Sequence, residues 1–192
     1  NEVMDRKGTL FIPSFSVERS QEIACVLKNA NFKHRIIMDG MALKVNEIIL
    51  RYPEYQKEPK IFKDVIDKVV AINDHKDRKR ALSEPCVVIS PAGMLVGGNA
   101  VYYLQQLAFD ERNGIALVSY QGEGTPGKKL LETGKISTRG KDLNVVAQVK
   151  QFQFSGHADR DSLFEMIKKI KGDPKVLTVH GDNQSCTRFA EE

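Results

Sequence analysis

Cysteine is scarce in this sequence, and no two cysteines stand in a pairing motif. The chain of 192 residues holds an odd, scattered set of three, with no Cys-x-x-Cys spacing: Cys25, Cys86 and Cys186. Small secreted domains carry even sets of cysteines at regular spacings, and this chain does not. The pattern predicts reduced, mostly buried thiols in a cytoplasmic protein.

Long apolar runs are also missing. No run approaches the roughly 20 residues that cross a membrane, so we expect no membrane partner. The first residues, 1–8, lack the apolar core of a signal peptide and read like the end of a helix without an initiator methionine. The last residues stop inside a helical pattern. We therefore expect a piece of a longer protein.

The overall composition is that of a folded domain. Hydrophobic residues make up 41% of the chain and charged residues 28%, which is enough to bury a core. The formal net charge is +4, a balance that permits an anionic partner without requiring one. The basic stretch 75–80 mixes its cations with aspartates and has no aromatic residue. A solvated helix face is therefore its favoured interpretation.

Short β-branched runs alternate with helical patterns along most of the chain. Helices are predicted around 16–30, 41–52, 75–84, 99–109 and 124–133, and strands at 8–13, 34–39, 67–72, 86–90 and 114–119. Alternation of this kind predicts an α/β fold, in which a mostly parallel, doubly wound sheet carries helices on both faces.

Two of these helices carry specific predictions. Ser16 is the predicted N-cap of the helix 16–30. Apolar spacing assigns a buried face to this helix and to the helix 41–52. The predicted inward residues are Val17, Ile23, Ala24 and Leu27 in the first helix, and Met41, Val45, Ile48 and Ile49 in the second.

The pattern changes near residue 134. Longer alternating strands follow without a helix between them, and then come a helix at 161–171, a strand at 175–180 and a last helix. We place a domain boundary between the ranges 1–145 and 146–192. The first range is the doubly wound unit, and the second is expected to belong to a different sheet.

Glycines and small hydroxyls crowd the loops that follow the strands. Ser14 follows the first strand, Gly93 the fourth, and Gly124 and Thr125 the fifth. Ligands of open parallel sheets bind at this edge, where glycine lets the backbone approach an anion and helix N-termini favour phosphate. Ordinary turn glycines are the alternative, and the sequence alone leaves the two interpretations open.

Two histidines stand in matching positions, each just after an apolar run. His157 lies in Phe-Ser-Gly-His-Ala-Asp, and His180 lies in Val-His-Gly-Asp. Imidazole binds zinc, moves protons near neutral pH, or satisfies a buried hydrogen bond. Asp159 and Asp182 follow the histidines, and helix capping is their favoured role. No His-x-His-x-Asp-His or His-Glu-x-x-His motif is present, so the residues alone indicate half a site.

Several stretches, in order, resemble the β-CASP branch of the metallo-β-lactamase superfamily. These are RNA-processing nucleases related to RNase J and to the endonuclease subunit of the cleavage and polyadenylation specificity factor. The similar stretches are GTLFIPSFSVERSQEI, VVISPAGMLVGGNAVYYL, RNGIALVSYQGEGTPGKKL, FSGHAD (the family's motif B) and VHGD (its motif C). The compact loops look most like those of a prokaryotic, archaeal member.

The resemblance implies a fold and an activity. The range 1–145 would be the β-CASP domain, and 146–192 would be the returning piece of a metallo-β-lactamase αββα domain into which it is inserted. The whole protein would be a zinc-dependent ribonuclease with two zinc ions, acting in mRNA 3′-end processing or RNA decay. The chain lacks the family's main metal motif and is expected to be inactive alone. RNA is the expected partner, with a homodimer or an RNA-processing complex as further candidates.

The resemblance also implies roles for particular residues. His180 would be a zinc ligand, and histidine at this motif favours RNA over DNA as substrate. His157 would be catalytic, as a general acid or a hydrogen-bond donor beside the scissile phosphate. The expected phosphate or RNA contacts come from both ranges: Ser155, Gly156, Arg19, Ser14, Gly93, Gly124 and Thr125.

Two other functions stay open at this point. One is a non-catalytic member of the same family that serves as a scaffold in RNA processing; retention of His157 and His180 speaks against it. The other is an unrelated nucleotide-binding α/β domain with a glycine-lined pocket, which predicts tight binding of a mononucleotide. Endonuclease and exonuclease action are not distinguished by the sequence.

Overall fold

The computed structural model describes residues 1–138, 140–154 and 156–192. The chain forms two compact units, Asn1–Phe154 and Ser155–Glu192. The first unit holds eight strands among its described residues. They are β1 (Leu10–Pro13), β2 (Ile36–Asp39), β3 (Val70–Ile72), β4 (Val87–Ser90), β5 (Gly114–Leu117), β6 (Lys135–Thr138), β7 (Lys141–Asn144) and β8 (Gln148–Gln151).

Seven helices accompany these strands in the described part of the first unit, together with a short 3-10 helix at Pro53–Tyr55. They are α1 (Glu2–Asp5), α2 (Arg19–Asn29), α3 (Met41–Arg51), α4 (Pro59–Ile66), α5 (His75–Ala81), α6 (Gly98–Leu107) and α7 (Pro126–Thr133). Within the described residues no helix is long and apolar enough to cross a membrane.

Six of the strands form one parallel sheet in the order β3-β2-β4-β1-β5-β8. Successive side chains on a strand point to opposite faces, so Phe11 and Ile12 of β1 enter different cores. Phe11 packs with residues of α5, α6 and α7, and Ile12 packs with residues of α2, α3 and α4. The predicted doubly wound α/β fold is confirmed.

The loop before α2 differs from the prediction. Ser16 is not the N-cap, because the helix begins at Arg19 after Glu18, which has φ 65°. Val17, predicted to face inward, is 60% exposed, whereas Ile23 and Ala24 are buried as predicted. The reason is local hydrogen bonding by Ser20, whose hydroxyl donates to the Phe15 carbonyl oxygen (2.7 Å) and delays the helix start.

The buried face of α3 is also different from the predicted one. Met41 is 65% exposed and Ile48 55% exposed, while Ala42 and Asn46 are buried. A polar contact decides the orientation, because Gln21 Nε2 of α2 donates to Asn46 Oδ1 at 2.8 Å. This hydrogen bond between two buried side chains outweighs the apolar spacing on which the prediction rested.

An antiparallel hairpin and an edge strand complete the first unit. β6 pairs with β7, and β8 then pairs in parallel with β5 at the end of the large sheet. The first compact unit therefore includes β8, which lies beyond the predicted boundary at 145. The division of the chain into family domains at that boundary stays a prediction.

The second unit contains α8 (Arg160–Lys168) and α9 (Asn183–Glu191), which meet through Phe164 and Phe189 with ring centroids 4.6 Å apart. The strand predicted at 175–180 is wrong for this structure. Leu177 is 84% exposed, and this segment has no strand assignment in the described part of the chain. A strand needs the backbone of a neighbour to hydrogen-bond, and no ladder partner is formed here.

All three cysteines are free thiols. Cys86 is fully buried, and Cys25 and Cys186 are half-buried. Burial raises the pKa of the Cys25 and Cys86 thiols above the usual range, so both stay protonated. The prediction of mostly buried thiols therefore holds for Cys86, whereas Cys25 and Cys186 are only half-buried.

The carboxylate of Asp39, at the end of β2, lies at the centre of a buried polar cluster. It is 1% exposed and accepts hydrogen bonds from Arg78 Nε (2.6 Å), Asn99 Nδ2 (3.0 Å) and the Tyr103 hydroxyl (2.9 Å). Arg78 therefore departs from the solvated face predicted for 75–80. Burial, with Asp39 adding to it, raises the pKa of Tyr103 well above its ordinary value, so the phenol remains a donor.

We expect Tyr103→Phe to lower the free energy of unfolding by about 2 kcal/mol, because a hydrogen bond to a buried charged group is lost. Urea unfolding of the purified protein measures the change. Tyr102→Phe is the matched control, since Tyr102 is half-buried and its ring contacts with His75 and Tyr103 survive the substitution. Equal effects of the two substitutions would contradict the importance of the Asp39 contact.

Candidate nucleic-acid interface

The topology of the sheet creates a crevice at the carboxyl ends of β1 and β4. These neighbouring strands have the register Pro13↔Ser90. The chain leaves β1 towards α2 on one face and leaves β4 towards α6 on the other. Open α/β sheets bind ligands at such a switch point. Ser14 and Gly93 follow these two strands, as the sequence predicted.

Close packing leaves no room for a side chain at Gly93. A Cβ atom there would lie 2.6 Å from Ser119 Oγ and 3.4 Å from the backbone nitrogen of Phe15. Gly93 thus brings the loops after β1, β4 and β5 together. The hydroxyls of Ser90 and Ser119 are buried beside this contact, and neither has a hydrogen-bond partner among the described residues. Unpaired buried hydroxyls are unusual in folded proteins.

The side-chain amide of Gln121 joins the same loops by hydrogen bonds. Its Nε2 donates to the carbonyl oxygens of Gly93 and Ser119, both at 2.9 Å. The backbone N–H of Gly127, at the start of α7, donates to the Met94 carbonyl oxygen at 3.1 Å. The loops after β4 and β5 therefore form one braced surface, which confirms that the glycine loops converge.

Gly124 and Thr125 lie where this surface meets α7. Gly124 has φ 73°, a conformation that L side chains rarely adopt. Thr125 is the N-cap of α7: its hydroxyl accepts from Lys128 N (3.3 Å) and donates to the Gly122 carbonyl oxygen (2.6 Å). Both residues line a cleft of about 480 Å³, bounded also by α6 and β6.

Two predicted contact residues are engaged inside the protein. The Ser14 hydroxyl is fully buried and shares a hydrogen bond with Ser20 Oγ (2.8 Å). Arg19 pairs with Glu22 at 2.5 Å and donates to the carbonyl oxygen of Phe154. Of the other predicted contact residues in the first unit, Gly93 is buried, Gly124 is exposed and Thr125 is half-buried.

The second unit holds both motif histidines. His157 and Gly156 are exposed, and Ser155 lies outside the described residues. His180 is exposed and has φ 70°, in the left-handed region where histidine is more frequent than most side chains.

Both aspartates next to these histidines cap helices, as predicted. Asp159 accepts from Ser162 N and Asp182 accepts from Ser185 N, each at 2.8 Å, at the starts of α8 and α9. The hydrogen bond from the Ser162 backbone lowers the pKa of Asp159, and the Ser185 side chain and backbone lower that of Asp182. The carboxylates are charged at neutral pH and fix the loops that carry the histidines.

The residues present do not complete a zinc site. Protein zinc sites use three or four side chains. Within the described residues no group of three or more His, Cys, Asp or Glu side chains is arranged to hold a metal ion. His180 supplies one imidazole, so a zinc ion would need further ligands from outside this set.

Two family models match the chain in succession. The Beta-Casp domain matches residues 20–130, and the Zn-dependent metallo-hydrolase RNA specificity domain matches residues 142–192. Together with the doubly wound sheet and its glycine-lined edge, these matches assign the class. The chain belongs to the β-CASP family of the metallo-β-lactamase superfamily.

The relatives that the chain resembles agree with this family assignment. The chain is 41% identical to RNase aCSPSF2 of Saccharolobus solfataricus over 186 residues, which is 96% of this chain and 37% of that protein. It is 35% identical over 216 residues to the transcription termination factor FttA of Methanocaldococcus jannaschii, covering 100% of this chain and 34% of that factor. A probable RNase, MJ4 of the same organism, is 34% identical over 191 residues, covering 97% and 44%.

The chain thus spans less than half the length of these relatives. Reasoning from the sequence pointed to Ser90 as a hydroxyl donor at this edge but missed Gln121 and Ser119, which shape it. Their signal was present, because a polar residue at the end of an apolar strand points to the site end of the sheet.

We expect Gly127→Ala to destabilise the protein by about 2 kcal/mol through overpacking, although alanine normally favours a helix by about 1 kcal/mol. The added Cβ would lie 1.7 Å from Gln121 Oε1 and force Gln121 away from Gly93 and Ser119. Gly122→Ala is the matched control, since its nearest neighbour would be 3.7 Å away. Urea unfolding of both variants measures the difference, and a stable Gly127→Ala protein would refute the bracing.

Proposed function

We propose that this chain is part of a zinc-dependent ribonuclease that hydrolyses RNA phosphodiester bonds in mRNA 3′-end processing or RNA decay. The observation that carries the proposal is the succession of both family matches along one chain, the second of them described as an RNA specificity domain. Relatives named RNase support the same reaction class.

The proposed contact with RNA uses the carboxyl edge of the sheet. Glycine-rich loops let the backbone approach phosphate oxygens without a side chain in the way, and the exposed Gly124 and the half-buried Thr125 are the proposed contacts. Gly93 is buried and is proposed to shape the loop behind them. Single-stranded RNA is held largely through its backbone charge, to which the formal net charge of +4 is favourable. Ser14 supports this surface from inside.

The proposed chemistry lies with the second unit. Cleavage of a phosphodiester needs a proton at the leaving oxygen, and an exposed imidazole next to two small residues is suited to deliver it. His157 is the proposed general acid or hydrogen-bond donor, with Gly156 and Ser155 against the phosphate. His180 is proposed as one zinc ligand of the whole protein, whose other ligands lie outside this chain, and two ions are expected there. The zinc would supply an activated water.

The proposal also covers the cellular location, the assembly and the activity of the chain on its own. Free thiols and the absence of a membrane-crossing helix among the described residues support a cytoplasmic protein. A homodimer or an RNA-processing complex is the proposed assembly. The chain on its own is expected to be inactive, since the described residues hold no metal site.

A paired assay tests the proposed function. We expect the full-length protein to cleave a 5′-labelled single-stranded RNA in the presence of zinc, and this chain alone to leave the RNA intact and hold no zinc. Labelled products are separated by gel, and metal content is measured in parallel. Inactivity of both proteins would favour the non-catalytic scaffold, and cleavage by the chain alone would contradict the split site.

Substitution of the two histidines in the full-length protein separates their roles. We expect His157→Ala to lower turnover by about 10²- to 10⁴-fold, the usual contribution of a general acid, with zinc content unchanged. We expect His180→Ala to lower both zinc occupancy and turnover.

His75→Ala is the control for these variants, because His75 packs against Tyr102 in the first unit and has no proposed role in the reaction. Turnover and metal content are measured for all three proteins. Wild-type activity in His157→Ala and His180→Ala would show that the site residues are wrongly assigned.

A further inference from the structure

The guanidinium of Arg19 contacts two residues of its own protein, Glu22 and Phe154. Its Nη2 donates to the carbonyl oxygen of Phe154, and its Nη1 pairs with Glu22 Oε2 at 2.5 Å. The guanidinium carbon also lies 5.5 Å from the centroid of the Phe154 ring, a cation–π contact. The side chain is only 19% exposed. These contacts make Arg19 part of the packing of the first unit.

The backbone that presents Arg19 is strained and tightly held. Glu18 has φ 65° and ψ −62°, and the Arg19 N–H donates to the Val17 carbonyl oxygen at 2.8 Å. This geometry is the rarer kind of γ-turn, which costs conformational energy in an L-residue. Ser20 and Gln21, the next residues of α2, fix the loop through the Phe15 and Ser16 carbonyl oxygens. These contacts hold the strained turn in place and so fix the direction in which Arg19 points.

Phe154 is the last residue of the first compact unit. The chain leaves the sheet just before it, since Phe152 N still donates to the Leu117 carbonyl oxygen at 2.9 Å. The Phe154 ring packs against the core that contains Ile12 and Ile23. Arg19 therefore holds both the ring and the backbone of the residue from which the segment with Gly156 and His157 starts.

We propose that Arg19 is a positioning residue for His157, and that it acts by clamping Phe154 and not by binding RNA. This inference rests on the proposed ribonuclease function, in which His157 donates to the leaving group. A general acid must stand within hydrogen-bond reach of its target, and a displacement of about 1 Å can cost about 100-fold in rate. Phe154 precedes His157 by three residues, so a clamp on Phe154 anchors one end of the segment that carries the imidazole.

Clamping of Phe154 by Arg19 and direct contact of Arg19 with RNA predict different kinetic and binding properties for variants of the full-length protein. For clamping, we expect Arg19→Ala to lower kcat by about 100-fold and to change KM by less than about threefold. Arg19→Lys should be nearly as impaired, because an ammonium lacks the planar fork that serves Glu22, the carbonyl and the ring together. The salt dependence of RNA binding should stay that of the wild type.

An RNA contact predicts the opposite pattern, and that pattern would overturn the proposal. KM would rise, the slope of binding against salt would fall by about 1, and Arg19→Lys would keep most of the activity. Arg80→Ala is the matched control, because Arg80 pairs with Asp77 at the same i, i+3 spacing on an exposed helix. Its kcat should equal that of the wild type.

A second measurement does not depend on nuclease activity. Phe154→Leu keeps an apolar side chain but removes the aromatic face under the guanidinium. In this variant and in Arg19→Lys, we expect faster hydrogen exchange of the amides between Phe152 and His157, with unchanged exchange in β1 and β4. Unchanged exchange in both variants would overturn the clamp. If the wild type cleaves no RNA, the proposed function fails, and the exchange result still decides whether Arg19 fixes Phe154.

Discussion

The glycine-lined edge of the sheet depends on the hydrogen bonds that the buried carboxylate of Asp39 accepts. A charge that is 1% exposed is tolerated only because Arg78, Asn99 and Tyr103 all donate to it. Those donors come from α5 and from the start and middle of α6, so one charge fixes two helices against the end of β2. Removing the charged partner, Arg78, would leave the buried charge of Asp39 without a compensating charge.

This cluster explains why the loop after β4 has a defined shape. A Cβ atom on Gly40, directly after Asp39, would lie 3.1 Å from Asn99 Nδ2 and 3.3 Å from the Pro91 ring, so the Asp39 cluster and the β4 loop lie close together. On the other side of that loop, Gln121 and Gly127 brace Gly93 and Met94. A surface made of glycines would be mobile by composition, and polar groups buried beneath it supply the order that a binding surface needs.

The alternation of strands and helices was readable from the sequence because period-two and period-3.6 patterns report directly on burial. The buried face of α3 was not, since the contact between Gln21 and Asn46 joins two helices and leaves no trace in local spacing. Arg78 looked like a solvated cation for the same reason. The capping aspartates were predictable, because a cap is a local contact. The strand at 175–180 failed because a strand depends on a partner that local sequence does not contain.

The contact between Gln121 and Gly127 has an evolutionary consequence. The two positions share one small volume, in which a Cβ on residue 127 and the amide of residue 121 exclude each other. Neither residue can be replaced by a larger one independently of the other while the loops after β4 and β5 stay joined. A lineage that gains a side chain at 127 must also shorten residue 121 and find another donor for the Gly93 carbonyl oxygen, so changes at these two positions are expected to arise together.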